Sequence, residues 1–118
     1  MSMPDWARII RESMRADAGQ STLIDQTNAR EIFSNITPIP GSGDSYGLGW
    51  NMTTRPWGGR TAYHEGSNTT NHSVAWVGLD NGVALLAATN AADLNGGRSG
   101  NALEALVSRL LTYYQTGQ

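Results

Sequence analysis

The sequence predicts an α+β domain: N-terminal helices, a mostly antiparallel sheet of about three to four strands, and an amphipathic helix towards the C-terminal end. Three observations carry this. An apolar stripe at helical spacing runs through residues 101–114. Two strand-like runs flank Asp80-Asn81-Gly82, a tight-hairpin signal. Helical patterns come first, strand patterns next and a helix last, an order that gives an antiparallel sheet with helices at its margins. At 118 residues the chain is read as one domain over 1–118.

The elements follow in order. Ser2 can cap a helix, Pro4 suits its first turn, and Asp5 suits the positive end of the helix dipole. Trp6, Ile9, Ile10 and Met14 then give that helix one apolar face, and Gly19 ends it. A second short helix is expected around Gln26 to Phe33. Asn35 to Asp44 is expected to be loop, since Pro38, Pro40, Gly41 and Gly43 interrupt regular structure. Strands are expected at 46–53, 60–65, 72–79 and 82–89. The run Val83 to Ala88 is apolar at every position, so cover is expected on both of its faces. Asn90 to Gly100 reads as a polar loop. Leu103, Leu106, Val107, Leu110, Leu111 and Tyr114 then form the stripe of the last helix.

Composition narrows the chemistry. Net charge is −2 and the arginines are dispersed, so no nucleic-acid partner is expected. No run of about 18 apolar residues is present, so no membrane span is expected. The opening MSMPDWARII lacks a basic segment followed by an apolar one and does not read as a signal peptide. Cysteine is absent, which removes disulfides and thiolate chemistry. Lysine is absent too, and all eight basic residues are arginine. A Schiff base, a P-loop lysine and a lysine general base are therefore excluded from these 118 residues.

The stretch YHEGSNTTNHSVAWVGLD, residues 63–80, holds both histidines. His64-Glu65 and His72 are spaced too widely for a zinc-peptidase helix, and no metal or cofactor is expected. Ser67 and Thr69 lie close to His64, so a Ser-His-acid triad is one reading, although no Gly-x-Ser-x-Gly elbow is present. Gly66 would let another backbone approach, and the Ser67 amide could face an oxyanion. The plainer reading makes Gly66 a turn glycine and 68–71 a polar loop. Asn-x-Ser/Thr sequons at Asn35, Asn51, Asn68 and Asn71 are what a chain rich in Asn and Thr produces by chance.

Taken in order, Tyr46-Gly47-Leu48-Gly49-Trp50, His64-Glu65-Gly66, Val74-Ala75-Trp76-Val77 and Leu85-Leu86-Ala87-Ala88-Thr89-Asn90 resemble the C-terminal part of the serine β-lactamase-like superfamily. That group holds class C β-lactamases, penicillin-binding proteins and related esterases. The resemblance covers essentially the whole chain and implies a partial β-lactamase-like fold, a serine-hydrolase ancestry and a periplasmic or extracellular setting. It implies three boxes meeting in a cleft: Ser-x-x-Lys, a Tyr- or Ser-led box, and Lys-Thr-Gly or His-x-Gly on a strand edge. His64-Glu65-Gly66 matches the third. His64 would then line the cleft, Ser67 would lend its amide and Gly66 would keep the strand clear. Tyr46 and Trp50 are further cleft candidates. The first two boxes precede this region in the family, and Tyr46, Tyr63, Tyr113 and Tyr114 stand in no second-box pattern. The expectation is a hydrolase segment inactive alone, one that has lost activity or acts only with a complementary chain carrying the other boxes. The alternative is a non-enzymatic self-associating or binding module that reuses the half-fold, and a homo-oligomer or a complementary chain is the expected partner.

Overall fold

The computed structural model describes residues 1–93 and 97–117. Three helices, α1 (Met3–Asp17), α2 (Gln26–Ile32) and α3 (Gly97–Thr116), accompany six strands. These are β1 (Thr37–Pro38), β2 (Ser45–Tyr46), β3 (Asn51–Arg55), β4 (Gly59–Ser67), β5 (His72–Gly78) and β6 (Val83–Thr89). They form one open antiparallel sheet in the order β1-β2-β3-β4-β5-β6, so every strand pairs with its neighbour in sequence. The expected α+β class is observed, with six strands rather than three to four.

The extra strands come from two places that looked irregular. Within the expected loop 35–44, Thr37 and Pro38 pair with Tyr46 and Ser45. The expected strand 46–53 is broken into β2 and β3 by a turn, where Gly47 N–H donates to Trp50 C=O at 2.7 Å and Gly49 takes φ +90°. Gly47 admits no side chain, because a Cβ there would sit 2.5 Å from the Ser34 carbonyl oxygen.

Two compact units divide the chain. The first holds Met1–His64 and Trp76–Ala84. In it α1 starts where expected: Ser2 caps through the Asp5 amide, and Gly19, at φ +72°, follows its end. Ile10, Ala29, Phe33, Met52, Ala62 and Val77 are buried as its core. A charged tie adds to this packing. Asp17 at the end of α1 is buried and receives two guanidinium bonds from Arg60 of β4, at 2.7 and 3.3 Å. Asp80 takes the remaining Arg60 Nε–H at 2.9 Å and the Arg60 amide at 2.7 Å. That amide, first, and the guanidinium, second, hold the Asp80 carboxyl below the ordinary range. Tyr63 stacks on Trp76 at 4.4 Å, and Arg55 lies over the same indole at 5.5 Å.

The second unit holds Glu65–Ala75 and Leu85–Gln118. Val74, Ala75, Leu85 and Ala87 of the strands and Leu103 and Val107 of α3 are its buried apolar residues. The stripe of α3 is buried only in part. Leu103, Leu110 and Tyr114 lie within about 40° of one another around the helix axis. Their exposures nevertheless climb from 4% to 38% to 59%. The stripe is packed at Leu103 and Val107 and carried into solvent at Leu110 and Tyr114. Cover on both faces of β6 is likewise only partial: Ala84 and Leu86 are half-buried and Ala88 is exposed. Of the expected loop 90–100, residues 94–96 lie outside the described residues, and α3 already begins at Gly97.

Candidate functional site

His64, Glu65, Gly66 and Ser67 occupy the last four positions of β4, all exposed. What they can do depends on where β3 stops. The β3–β4 register ends at Asn51↔Tyr63, so no β3 residue stands opposite positions 64–67. The direction of the backbone groups follows from parity. Leu79 N–H donates to the Arg60 carbonyl at 2.8 Å, so Arg60 turns its backbone towards the β5 side. Strand residues alternate in this respect. Ala62, His64 and Gly66 therefore turn the same way as Arg60, while Tyr63, Glu65 and Ser67 turn towards the β3 side. The Asn51 side chain donates to the Tyr63 carbonyl at 3.4 Å, in agreement. The N–H and C=O groups of Glu65 and Ser67 thus turn away from β5.

Among the described residues, Gly66 has no conformational or packing reason to be glycine. Its φ is not positive, and a Cβ built there meets nothing within 4 Å. Open space lies beside this strand end.

The side chains separate by alternation. His64 sits on the face of Met52 and Ala62, where its ring meets Trp50 edge-on at 6.5 Å and 85°. Trp50 in turn leans on the buried Phe33 at 5.7 Å. Two of the expected cleft residues are thus neighbours. Tyr46 is not with them: it stands opposite Asn51, which stands opposite Tyr63, and so shares the Tyr63 face. The Ser67 hydroxyl is occupied in the turn, accepting from the Thr69 amide at 3.3 Å. Thr69 itself takes φ +71° in that turn. Among the described residues neither hydroxyl is bonded to His64, and the His64–Ser67/Thr69 triad is not formed.

The histidine that does meet a serine is His72. It is 5% exposed. Its Nδ1 lies 2.8 Å from Ser99 Oγ at the start of α3, and its Nε2 lies 3.3 Å from Glu65 Oε2. Ser99 Oγ also donates to Asp93 Oδ1 at 3.1 Å. The same carboxylate accepts the Ser99 amide at 3.1 Å and the Arg98 amide at 3.4 Å. The Ser99 amide foremost, with the Arg98 amide and the Ser99 hydroxyl, keeps the Asp93 carboxyl below its ordinary range. Ser99 is 7% exposed, and Gly100 is closely approached by the imidazole, its Cβ position lying 3.3 Å from His72 Cε1. A hydroxyl buried there has no access for a substrate carbonyl. The cluster ties the first turn of α3 to β5 and to Glu65; it is a structural tether rather than a nucleophile.

Sequence reasoning missed this cluster, although a signal existed. His72 begins an alternating strand whose next same-face residue, Val74, is buried. Its burial was therefore legible, and a buried imidazole needs partners. Asp93, ahead of a helix with Gly97 and Gly100 in its first turn, was masked by those glycines.

Comparison with protein-family models, with curated proteins and with solved structures returns no match.

Proposed function

We propose that this chain is the C-terminal part of a serine β-lactamase-like hydrolase domain, contributing the third box of a cleft whose nucleophile comes from a complementary segment. The observation that carries the reading is the end of β4: outward backbone groups at Glu65 and Ser67, with empty space beside Gly66. In this role the Ser67 amide donates to a developing oxyanion. His64, set against Trp50, lines the cleft floor. The Glu65 side chain takes no part in this reading, because its carboxylate meets His72 Nε2 at 3.3 Å.

Alone, these residues do not make an enzyme. A serine hydroxyl needs an adjacent base, and the family's lysine base has no counterpart in a sequence without lysine. The test uses a chromogenic cephalosporin and p-nitrophenyl esters. The chain by itself should give no enzymatic turnover. Turnover should appear on adding a chain that carries Ser-x-x-Lys and the second box. Turnover by the chain alone that His64→Ala abolishes would refute the proposal.

A second reading is a non-enzymatic module that self-associates. What favours it is the set of exposed apolar side chains on α3, with Leu106 at 45%, Leu110 at 38% and Tyr113 at 62% exposure. A stable homodimer that never gains activity with a complementary chain would decide for it.

A further inference from the structure

The two margins of the sheet are built differently. At one margin β1 is only two residues long and includes Pro38, which has no N–H to offer. At the other, β6 runs for seven residues, Val-Ala-Leu-Leu-Ala-Ala-Thr. It has no charged residue, no proline and no glycine. Short length, proline and charge are the means by which edge strands avoid pairing with other chains. The β1 margin uses two of them and β6 uses none.

Parity shows which groups of β6 face outward. Leu79 turns its N–H to Arg60, towards β4. Alternation then turns Ala75 and Val77 towards β4, and Val74, Trp76 and Gly78 towards β6. β5 ends at Gly78 and β6 starts at Val83, and a hairpin without a bulge over that four-residue connection sets these two residues opposite each other. Val83, Leu85, Ala87 and Thr89 therefore direct their backbone groups inward to β5. Ala84, Leu86 and Ala88 direct theirs outward. These three positions are symmetric about Leu86.

We infer that the outer edge of β6 is a self-pairing strand, on which a second copy of this chain docks antiparallel about a two-fold axis at Leu86. In that register Ala84 meets Ala88 of the second copy, and Leu86 meets its own counterpart. All three outward N–H groups and all three outward C=O groups are satisfied together. A shift by two residues leaves one set of groups unpaired at each end, so the symmetric register is the best bonded one. Ala84 and Leu86 are half-buried and Ala88 is exposed, and pairing covers them with identical apolar side chains. No charge on β6 opposes the approach of a like strand. Other extended peptides could add to such an edge, but a second copy offers the same open groups in matching register. The inference takes its partner from the self-association reading and uses nothing of the hydrolase reading.

The experiment is sedimentation velocity and light scattering from low to high micromolar concentration, on the unmodified chain and on Leu86→Lys and Leu86→Glu. The unmodified chain is expected to dimerise. Each variant alone is expected to be monomeric, because like charges then face each other across the axis. Mixing the two variants is expected to restore a dimer, a gain that misfolding cannot imitate. Amide exchange supplies the second measurement: the Ala84, Leu86 and Ala88 amides of the unmodified chain should exchange at least about tenfold more slowly at concentrations where it is dimeric than where it is monomeric. A monomer at every concentration would sink both self-association and this edge. A dimer that persists in each variant alone, variants that fail to recombine, or unprotected amides in the dimer would sink the edge assignment alone.

Discussion

Ser99→Ala tests whether the His72 cluster holds α3 to the sheet. The substitution removes one oxygen and leaves the imidazole Nδ1, 2.8 Å away, without that partner. His72 is 5% exposed, so water does not readily replace the hydroxyl. Stranding a buried polar group costs about 1–3 kcal/mol. The other side of the hydroxyl adds little, because Asp93 keeps the backbone amides of Arg98 and Ser99. For 118 residues, an unfolding entropy of about 2.1 cal/mol/K per residue gives roughly 250 cal/mol/K, or about 4 °C per kcal/mol. The expected fall in melting temperature is therefore about 4–12 °C.

Calorimetry on a double-mutant cycle separates this cause from others. In a His72→Phe background no ring nitrogen remains to be stranded, and Ser99→Ala should become nearly neutral. The coupling between the two positions should be about 1 kcal/mol or more. Equal cost of Ser99→Ala in both backgrounds would refute the tether, since the hydroxyl would then act through some other contact.

Further outcomes follow from burial and charge. Leu103→Ala should cost about 2–5 kcal/mol and Leu110→Ala well under half of that, read by urea unfolding, because the same stripe is packed at one end of α3 and exposed at the other. Gly58→Ala and Gly78→Ala should each destabilise by about 1–3 kcal/mol or more, since a Cβ at either site lies within 2.8 Å of the other glycine's Cα; Gly66→Ala should stay within about 0.5 kcal/mol in the same assay. If Gly66 serves an incoming segment, Gly66→Ala should impair complementation while leaving the melting curve unmoved. Asp80 and Asp93 have depressed folded-state pKa values, so their contribution is fully present above the unfolded value of 3.8 and is lost as pH falls below it through the folded value. Unfolding midpoints between pH 2 and pH 6 should show that acid-side loss, and Asp80→Asn should reduce it.

The helices and the β5–β6 hairpin were legible because their signals are local. Ser2, Pro4 and Asp5 mark the start of α1 within one turn, and Gly82 takes the positive φ, +68°, that the hairpin turn needs. The division of 46–53 was not legible, because both pieces alternate and only the Ser34 carbonyl beside Gly47 shows why the strand must stop. The β1 pairing was hidden for a related reason: Pro38 argues against a strand, yet at a margin its missing donor costs nothing. Of the site, His64 and Glu65 fell within the expected strand 60–65, whereas Gly66, read most plainly as a turn glycine, and Ser67 still belong to β4. The separation of Tyr46 from Trp50 was not, because it depends on where a turn resets the alternation. Glu65 was a cleft candidate as a member of a motif, and its side-chain contact with His72, seven residues on, could not be read from that motif.

Backbone supply decides where this chain can engage something else. Along most of the sheet each strand has a neighbour on both sides, so N–H and C=O groups are consumed internally. Among the described residues, besides the β1 margin and the part of β3 beyond its two β2 pairs, two places depart from that. At the end of β4 the partner strand runs out two positions before Glu65, leaving a short edge of two outward residues, Glu65 and Ser67. Along β6 the outward residues are Ala84, Leu86 and Ala88, over a strand with no charge. The first edge is short, polar and beside a glycine, which suits a small extended ligand or a single strand end approached closely. The second is longer, apolar and symmetric, which suits another strand of its own kind. Occupying one edge leaves the backbone groups of the other free, so a dimer joined through β6 retains the open end of β4. Complementation by a nucleophile-bearing chain and self-association are therefore compatible on backbone grounds. An assay of the first at concentrations where the second is complete would show whether they coexist.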